Sequence, residues 1–274
     1  MPLADSQPAT DLVRARTAAG QGRYRHALSL LDAIEGSGPA GSVSAACALR
    51  GSILRQVHQH RLAEEADRRA LAHAVGEPAS DTRIDALAGL AADAIGNPTQ
   101  AWERWLELEP RLACASLRSR VSACWVGAKV HLALDQPARA LPLARASVEG
   151  AEQLSPGHQA KSLLVLGVCQ QAAGDPAGIP AGIPAGIEAV HRAAVQAAAH
   201  RLRPLLWPSA YLLACWLPEP ARQRWWRWSR QVVAAIEADL PGDLLAGWRT
   251  DPAVAALSAQ DAPPRSLGPV PDRR

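Results

Sequence analysis

The sequence predicts an all-α protein, an α-solenoid of antiparallel helix pairs, and three observations carry that expectation. Apolar residues recur at helical spacing almost throughout, as in Leu28–Leu31–Ile34, Leu49–Ile53–Val57 and Leu87–Leu90–Ala91–Ile95, and nothing alternates like a strand. Ala and Leu, both strong helix formers, dominate a chain that is 48% hydrophobic and 20% charged. Gly and Pro punctuate it regularly, at Gly20 to Gly22, Gly36 to Gly41, Gly76 to Pro78, Gly96 to Pro98, Pro110, Pro137, Pro156 and Gly174 to Pro176. Such spacing marks roughly a dozen helices of ordinary length.

Taken in order, residues 1–8 form a flexible N-terminus, and a helical repeat domain over 9–257 follows. Its first helical pair contains Gly22-Arg23-Tyr24-Arg25-His26-Ala27-Leu28. This segment resembles the Gly-x-Tyr-x-x-Ala-Leu turn and second-helix start of tetratricopeptide repeats. The resemblance implies a small residue seven positions before the turn glycine, where two antiparallel helices approach closely, and Ala15 stands there. Twelve residues separate Ala15 from Ala27, and the same spacing recurs as Gly51 with Ala63, Gly89 with Ala101, and Ala128 with Ala140. Gly167 followed by Gly174 starts the motif a fifth time. Steps between markers at 15, 51, 89, 128 and 167 are 36, 38, 39 and 39 residues, within the range of helical solenoids. The resemblance covers roughly residues 9–237 and implies a right-handed, tetratricopeptide-like superhelix. Asp67 departs from it by replacing an apolar residue.

In the fifth pair the tetrapeptide Pro-Ala-Gly-Ile occurs three times in tandem from Pro176 to Ile187, which predicts an inserted loop over about 175–187. A Trp- and Arg-rich helical cap is expected over about 203–257, and the Pro-rich polar tail 258–274 is expected to be disordered.

Composition narrows the classes of function. A formal charge of +3, with acidic and basic residues interleaved, gives no reason to expect nucleic-acid binding. All but two of the 29 Lys and Arg residues are Arg, the exceptions being Lys129 and Lys161; with the abundant Ala, this points to a GC-rich bacterial genome. Five widely spaced cysteines among apolar neighbours read as reduced core residues of a cytoplasmic protein. Residues 1–10 lack a basic segment followed by an apolar one, so a signal peptide is not expected. The most apolar run, Leu205 to Leu217, is 13 residues long, short of the roughly 20 needed to span a bilayer.

No catalytic, metal or cofactor site is expected. His58-x-His60 places its rings on different sides of a helix, and no Cys-x-x-Cys, His-Glu-x-x-His, Gly-x-Ser-x-Gly or phosphate-cradling glycine loop is present. Adjacent carboxylates such as Glu64–Glu65 are flanked by Arg, as on a solvated helix face. The resemblance implies a concave groove lined by the first helix of each pair, which places Arg16, Arg55, Gln56, Asp93, Lys161 and Gln171 along it. That lining suits a protein or peptide segment bearing some acidic groups. The clamp that some family members use on chaperone C-termini relies on paired Asn with Lys, and Asn97 is the only Asn here.

The alternative surface is the helix around Trp225, Trp226, Arg227 and Arg230. It reads either as a hot spot for a partner or anionic membrane, or as a final helix whose Trp stripe packs on Trp207, Tyr211 and Trp216. The expected function is a non-enzymatic interaction scaffold. A ligand-responsive sensor acting through a partner, or a membrane-peripheral adaptor, are the alternatives.

Overall fold

The computed structural model describes residues 6–74, 81–174 and 184–259. Six helix pairs follow one another: α1 (Ser6–Gly20) with α2 (Tyr24–Ser37), α3 (Ala40–Gln56) with α4 (His60–His73), and α5 (Asp81–Asp93) with α6 (Pro98–Leu108). Then come α7 (Leu117–Ala133) with α8 (Pro137–Ala151), α9 (Pro156–Ala173) with α10 (Ala185–Ala199), and α11 (Arg203–Trp216) with α12 (Ala221–Glu237). Two short helices, α13 (Gly242–Trp248) and α14 (Pro252–Ala259), end the described chain.

The architecture is the all-α, tetratricopeptide-like solenoid that the repeat spacing predicts. Helices pack within each pair, and successive odd-numbered helices also touch, from α1 with α3 through to α9 with α11. Even-numbered helices of neighbouring pairs do not meet to the same extent. The stack therefore curves, with the odd helices lining its inner face.

The marker residues explain why each pair closes. Ala15, Ala27, Ala63, Ala101, Ala128 and Ala140 are all fully buried, and Gly51, Gly89 and Gly167 are buried too. The fifth pair has its small partner at Gly186, where an added Cβ would lie 2.7 Å from the Gly167 carbonyl oxygen. This corrects one expectation. The third Pro-Ala-Gly-Ile copy, predicted as loop, opens α10 instead, with Pro184 as its N-cap and Gly186 as its close-contact residue. Proline is tolerated there because N–H groups at a helix start have no intrahelical acceptor. The other two copies lie outside the described residues. At the chain's ends, α1 already begins at Ser6 and α14 runs to Ala259, while 1–5 and 260–274 are outside the described residues.

Turns follow the same register. Gly22 and Gly174, seven residues after their markers, take the left-handed conformation at φ +72° and +60°. His58 and Asp135 hold the equivalent positions after Gly51 and Ala128 at φ 60° and 55°, although neither is glycine. A side chain there costs about 1 kcal/mol, which the packing of the pair offsets.

Close packing also governs the third and fourth pairs. A Cβ added to Gly127 on α7 would sit 2.5 Å from Cη2 of Trp105, an indole from α6 that is 1% exposed. Gly127→Ala is expected to lower stability by about 1–3 kcal/mol through overpacking. Urea denaturation would check this, and an unchanged midpoint would count against the close approach.

The solenoid also coils back on itself. One continuous apolar cluster joins α1 to α4, including Tyr24, Ile53 and Val57, with α9 to α14, including Leu206, Trp226, Ile236 and Trp248. Along the seam the Arg25 backbone N–H donates to Asp239 Oδ2 at 3.2 Å, and its guanidinium donates to the Leu240 carbonyl at 2.9 Å. The His58 ring hydrogen-bonds the Asp251 carboxylate, which helps hold the Asp251 carboxyl below its ordinary range despite burial. The left-handed turn at Gly22 fits tightly here, because a Cβ would come within 3.2 Å of both Arg203 and Ile236. The last helices thus cover the first turns, and the inner face is enclosed rather than open-ended.

Candidate binding site on the inner face

Two groups of polar side chains lie on this face, and they differ in whether they are already partnered. The first centres on Arg55 of α3. Its guanidinium is ion-paired with Asp67 of α4 and, at 3.0 Å, with Asp93 of α5. Both carboxylate side chains are almost completely buried, at 0% and 3% exposure. Asp67 fits because α3 and α5 each present a glycine to it: a Cβ on Gly51 would stand 2.7 Å from Asp67 Oδ1, and one on Gly89 would collide with the carboxylate. Burial raises the Asp67 carboxyl to about 7; Arg55 opposes that shift and neighbouring Asp93 reinforces it. One cation shared by two buried carboxylates balances when the pair retains one proton. Asp67, an oddity in the repeat pattern, is therefore the third member of a structural triad.

The second group runs along α7 and α9. Trp125 is 7% exposed, and its indole N–H donates to Ser162 Oγ at 2.8 Å; Ser162 in turn donates to the Ser147 carbonyl at 2.9 Å. The anchored ring carries the Lys161 ammonium 4.4 Å above its centroid and the His158 ring 5.7 Å away. Lys129 stands four residues beyond Trp125, on the same face of α7. Arg118, seven residues before Trp125, is paired with Asp85 at 2.7 Å, and Ser119 also donates to that carboxylate.

Electrostatics join these side chains into one interior. Desolvation, followed by Lys129 and Arg55, lowers Lys161 to about 7. Lys129 is lowered by desolvation and then by Arg55, although its surface is exposed to solvent. Exposed Arg16 of α1 is lowered by desolvation and by Arg118 of α7. His158 falls to about 4 through desolvation, with Arg118, Lys161 and Arg16 adding to it. Side chains of α1, α3, α7 and α9 thus sense one another's charges across the inner face.

Among the residues expected in the groove, Arg16 and Lys161 carry no ion pair among the described residues, whereas Arg55 and Asp93 are committed to the triad. Gln56 accepts a hydrogen bond from the Tyr24 hydroxyl at 2.9 Å and donates to the Ser52 carbonyl at 3.1 Å. Gln171 is exposed near the C-terminal end of α9. Sequence reasoning missed Lys129, Trp125, Arg118 and His158. Lys129 was within reach, since it follows marker Ala128 as Arg16 follows Ala15.

On α12, Trp225 and Trp226 are 5% and 0% exposed; Trp226 packs on Tyr211 with centroids 5.9 Å apart, and Trp225 stacks on Trp228 at 5.2 Å. Ser229 donates to the Trp207 carbonyl at 2.8 Å, fixing the helix to α11. The indoles of this stripe serve the core, while Arg227 is exposed and Arg230 half-buried. Among the described residues, no cluster of His, Cys, Asp or Glu could hold a metal ion, and no helix is long and apolar enough to cross a membrane.

The geometry is that of a tetratricopeptide-like helical repeat with a charged, enclosed inner face. No protein-family model matches the sequence, and no curated protein matches it. Among solved structures, the fold is similar to a signal transduction ATPase with numerous domains that has a tetratricopeptide repeat sensor, from Pyrococcus horikoshii. The TM-score is 0.50 and the identity 14%, over 84% of this chain and 33% of that one. The chain spans about a third of that protein's length, and the likeness is one of fold.

Proposed function

We propose that the protein is a non-enzymatic interaction scaffold that holds a segment of a partner protein against its inner face. The observation that carries the reading is the concave lining contributed by α1, α7 and α9, where Arg16, Lys129 and Lys161 have no carboxylate within ion-pair distance among the described residues. Unpaired, partly desolvated cations are unfavourable in isolation, and an acidic partner segment would relieve them. A cytoplasmic location belongs to the same proposal and agrees with the five free cysteines.

The test is affinity capture from native extract with the parent protein and with Arg16→Glu/Lys129→Glu. Both side chains are exposed, so the variant is expected to keep the parent's melting temperature. Loss of the same captured proteins in the variant supports the scaffold, whereas retention of every one of them overturns it.

A ligand-responsive sensor is the second reading. It is favoured by the enclosed interior and by the neighbour of similar fold, whose repeat is named a sensor. Thermal stabilisation by the small-molecule fraction of the same extract would support it, and an unchanged melting curve would count against it.

A further inference from the structure

A line of polar contacts leaves the Arg55 triad and ends on the last helix of the described chain. Asp93, paired with Arg55, has the His60 ring 3.5 Å away at the start of α4. That ring meets the His58 ring edge to face, with centroids 5.3 Å apart. His58 in turn hydrogen-bonds Asp251 Oδ2. The other oxygen of this carboxylate, Oδ1, accepts from the backbone N–H groups of Ala253 and Val254 at 2.7 and 3.1 Å. Asp251 therefore caps the start of α14 and ties that helix to the turn between α3 and α4.

Residue choice at that turn is unusual. Gly22 and Gly174, which hold the equivalent places in the first and fifth pairs, take the same left-handed backbone with no Cβ to oppose it. His58 adopts it at φ 60° and so carries a titratable ring into the seam at a cost in backbone strain. The ring meets a strap of two short helices, α13 and α14, rather than another full pair. Trp248 of α13 packs edge to face on Trp207, and the Gln59 side chain, next to His58, closes over Gly247.

Proton binding changes what the tie is made of. With its second proton, the His58 ring is a cation against a carboxylate; without it, a neutral ring donates one hydrogen bond to an anion. The surrounding groups fix the sign. On the strap, the Asp251 carboxyl stays below its ordinary range although burial pushes it up, and Arg249 is turned to Glu237 of α12 at 3.3 Å. On α11, Tyr211 is raised to about 12, chiefly by burial, and stays neutral. His60 is the like charge beside the ring, but its side chain is 46% exposed and Asp93 answers it, so its repulsion is screened. Arg55, beyond His60, is committed to Asp67 and Asp93. The direct contact with Asp251 therefore dominates. The tie is strongest below the pH range in which imidazoles lose their second proton and weakens as pH rises through it.

We infer that His58 and Asp251 form a pH-sensitive latch, which fastens α13 and α14 across the seam when His58 is protonated and slackens when it is neutral. A slack strap opens the enclosed inner face to an occupant of any chemistry. The inference thus goes beyond the scaffold reading and does not depend on it.

Hydrogen exchange of the full chain tests the latch at about pH 5.5 and about pH 8, on either side of the imidazole range, with each rate corrected for the intrinsic pH dependence of amide exchange. Opening of α13 and α14 is expected to rise about threefold from the lower pH to the higher, the scale of a partly exposed ion pair. Helices α5 to α8 in the same samples report any global loss, including the one that Asp67 brings.

Two variants isolate the tie. Asp251→Asn keeps an oxygen to cap α14 and loses the charge, while His58→Asn tolerates the left-handed turn and does not titrate. In each, the pH-dependent rise is expected to disappear, with the strap as open at the lower pH as the parent's is at the higher. His60→Gln is expected to keep the rise. The latch is overturned if the parent opens equally at both pH values or more at the lower, if either tie variant keeps the parent's rise, or if His60→Gln abolishes it. Those results leave the scaffold reading standing, since it is tested by capture through Arg16 and Lys129, so the two failures are distinguishable.

Discussion

Arg55→Ala is expected to lower the free energy of unfolding by about 3–5 kcal/mol, because it strips the guanidinium shared by two buried carboxylates and leaves only the His60 ring, 3.5 Å from Asp93. Asp67 and Asp93 lie against each other in the core, so their repulsion adds to the desolvation that Arg55 offsets. Asp67→Asn is expected to behave differently at pH 7, raising stability or leaving it unchanged, since the neutral amide resembles the protonated carboxyl that burial favours. The pH dependence separates the two effects. The folded Asp67 carboxyl binds its proton more tightly than the unfolded one, whose ordinary value is 3.8. Its contribution is therefore fully present below about pH 4 and is lost as pH rises through about 7. Asp67→Asn removes this slope, so urea-unfolding profiles of parent and variant should meet at acid pH, where Asp67 is protonated folded and unfolded, and separate as pH rises toward 7. If Arg55→Ala proved milder than Asp67→Asn, the triad would not have the structural role given to it.

That triad marks the boundary of what the sequence made legible. The pairing of small residues twelve apart is a local pattern, and five markers at near-constant steps sufficed to locate the repeats. The fifth partner escaped because seven inserted residues carry Gly186 past the expected position 179. His58 and Asp135 were hard to read as turn residues because Asp and His, although enriched there among non-glycine residues, adopt the left-handed backbone far less often than Gly; the fold imposes it.

The candidate site divides in the same manner. Arg55, Asp93 and Arg16 were all legible as polar side chains on the inner face. Which of them bind one another and which remain free depends on two glycines on flanking helices admitting the carboxylate of Asp67. Coil-back of the last helices was equally hidden, since contacts such as Arg25 with Asp239 join residues 214 apart and leave no periodic trace.

Closure matters to function because it converts a curved stack into an enclosed interior, and Trp248→Ala tests it directly. Trp248 is fully buried on α13, a helix of 7 residues that would not be stable alone. Its ring meets Trp207 edge to face with centroids 5.5 Å apart, inside the cluster that includes Tyr24, Ile53 and Val57. Next to it, the Gln59 side chain packs so closely over Gly247 that a Cβ there would collide with it, and Asp251 reaches His58. Truncating the indole is expected to remove about 3–5 kcal/mol, equivalent to a fall in melting temperature on the order of 10 °C for a chain of this size. Hydrogen exchange should quicken in α13, α14 and the turn at Gly22, while α5 to α8, held by separate apolar clusters, should change little. A variant that melts within about 2 °C of the parent, or that exchanges faster in α5 to α8 than at the seam, would remove closure as the device that encloses the inner face.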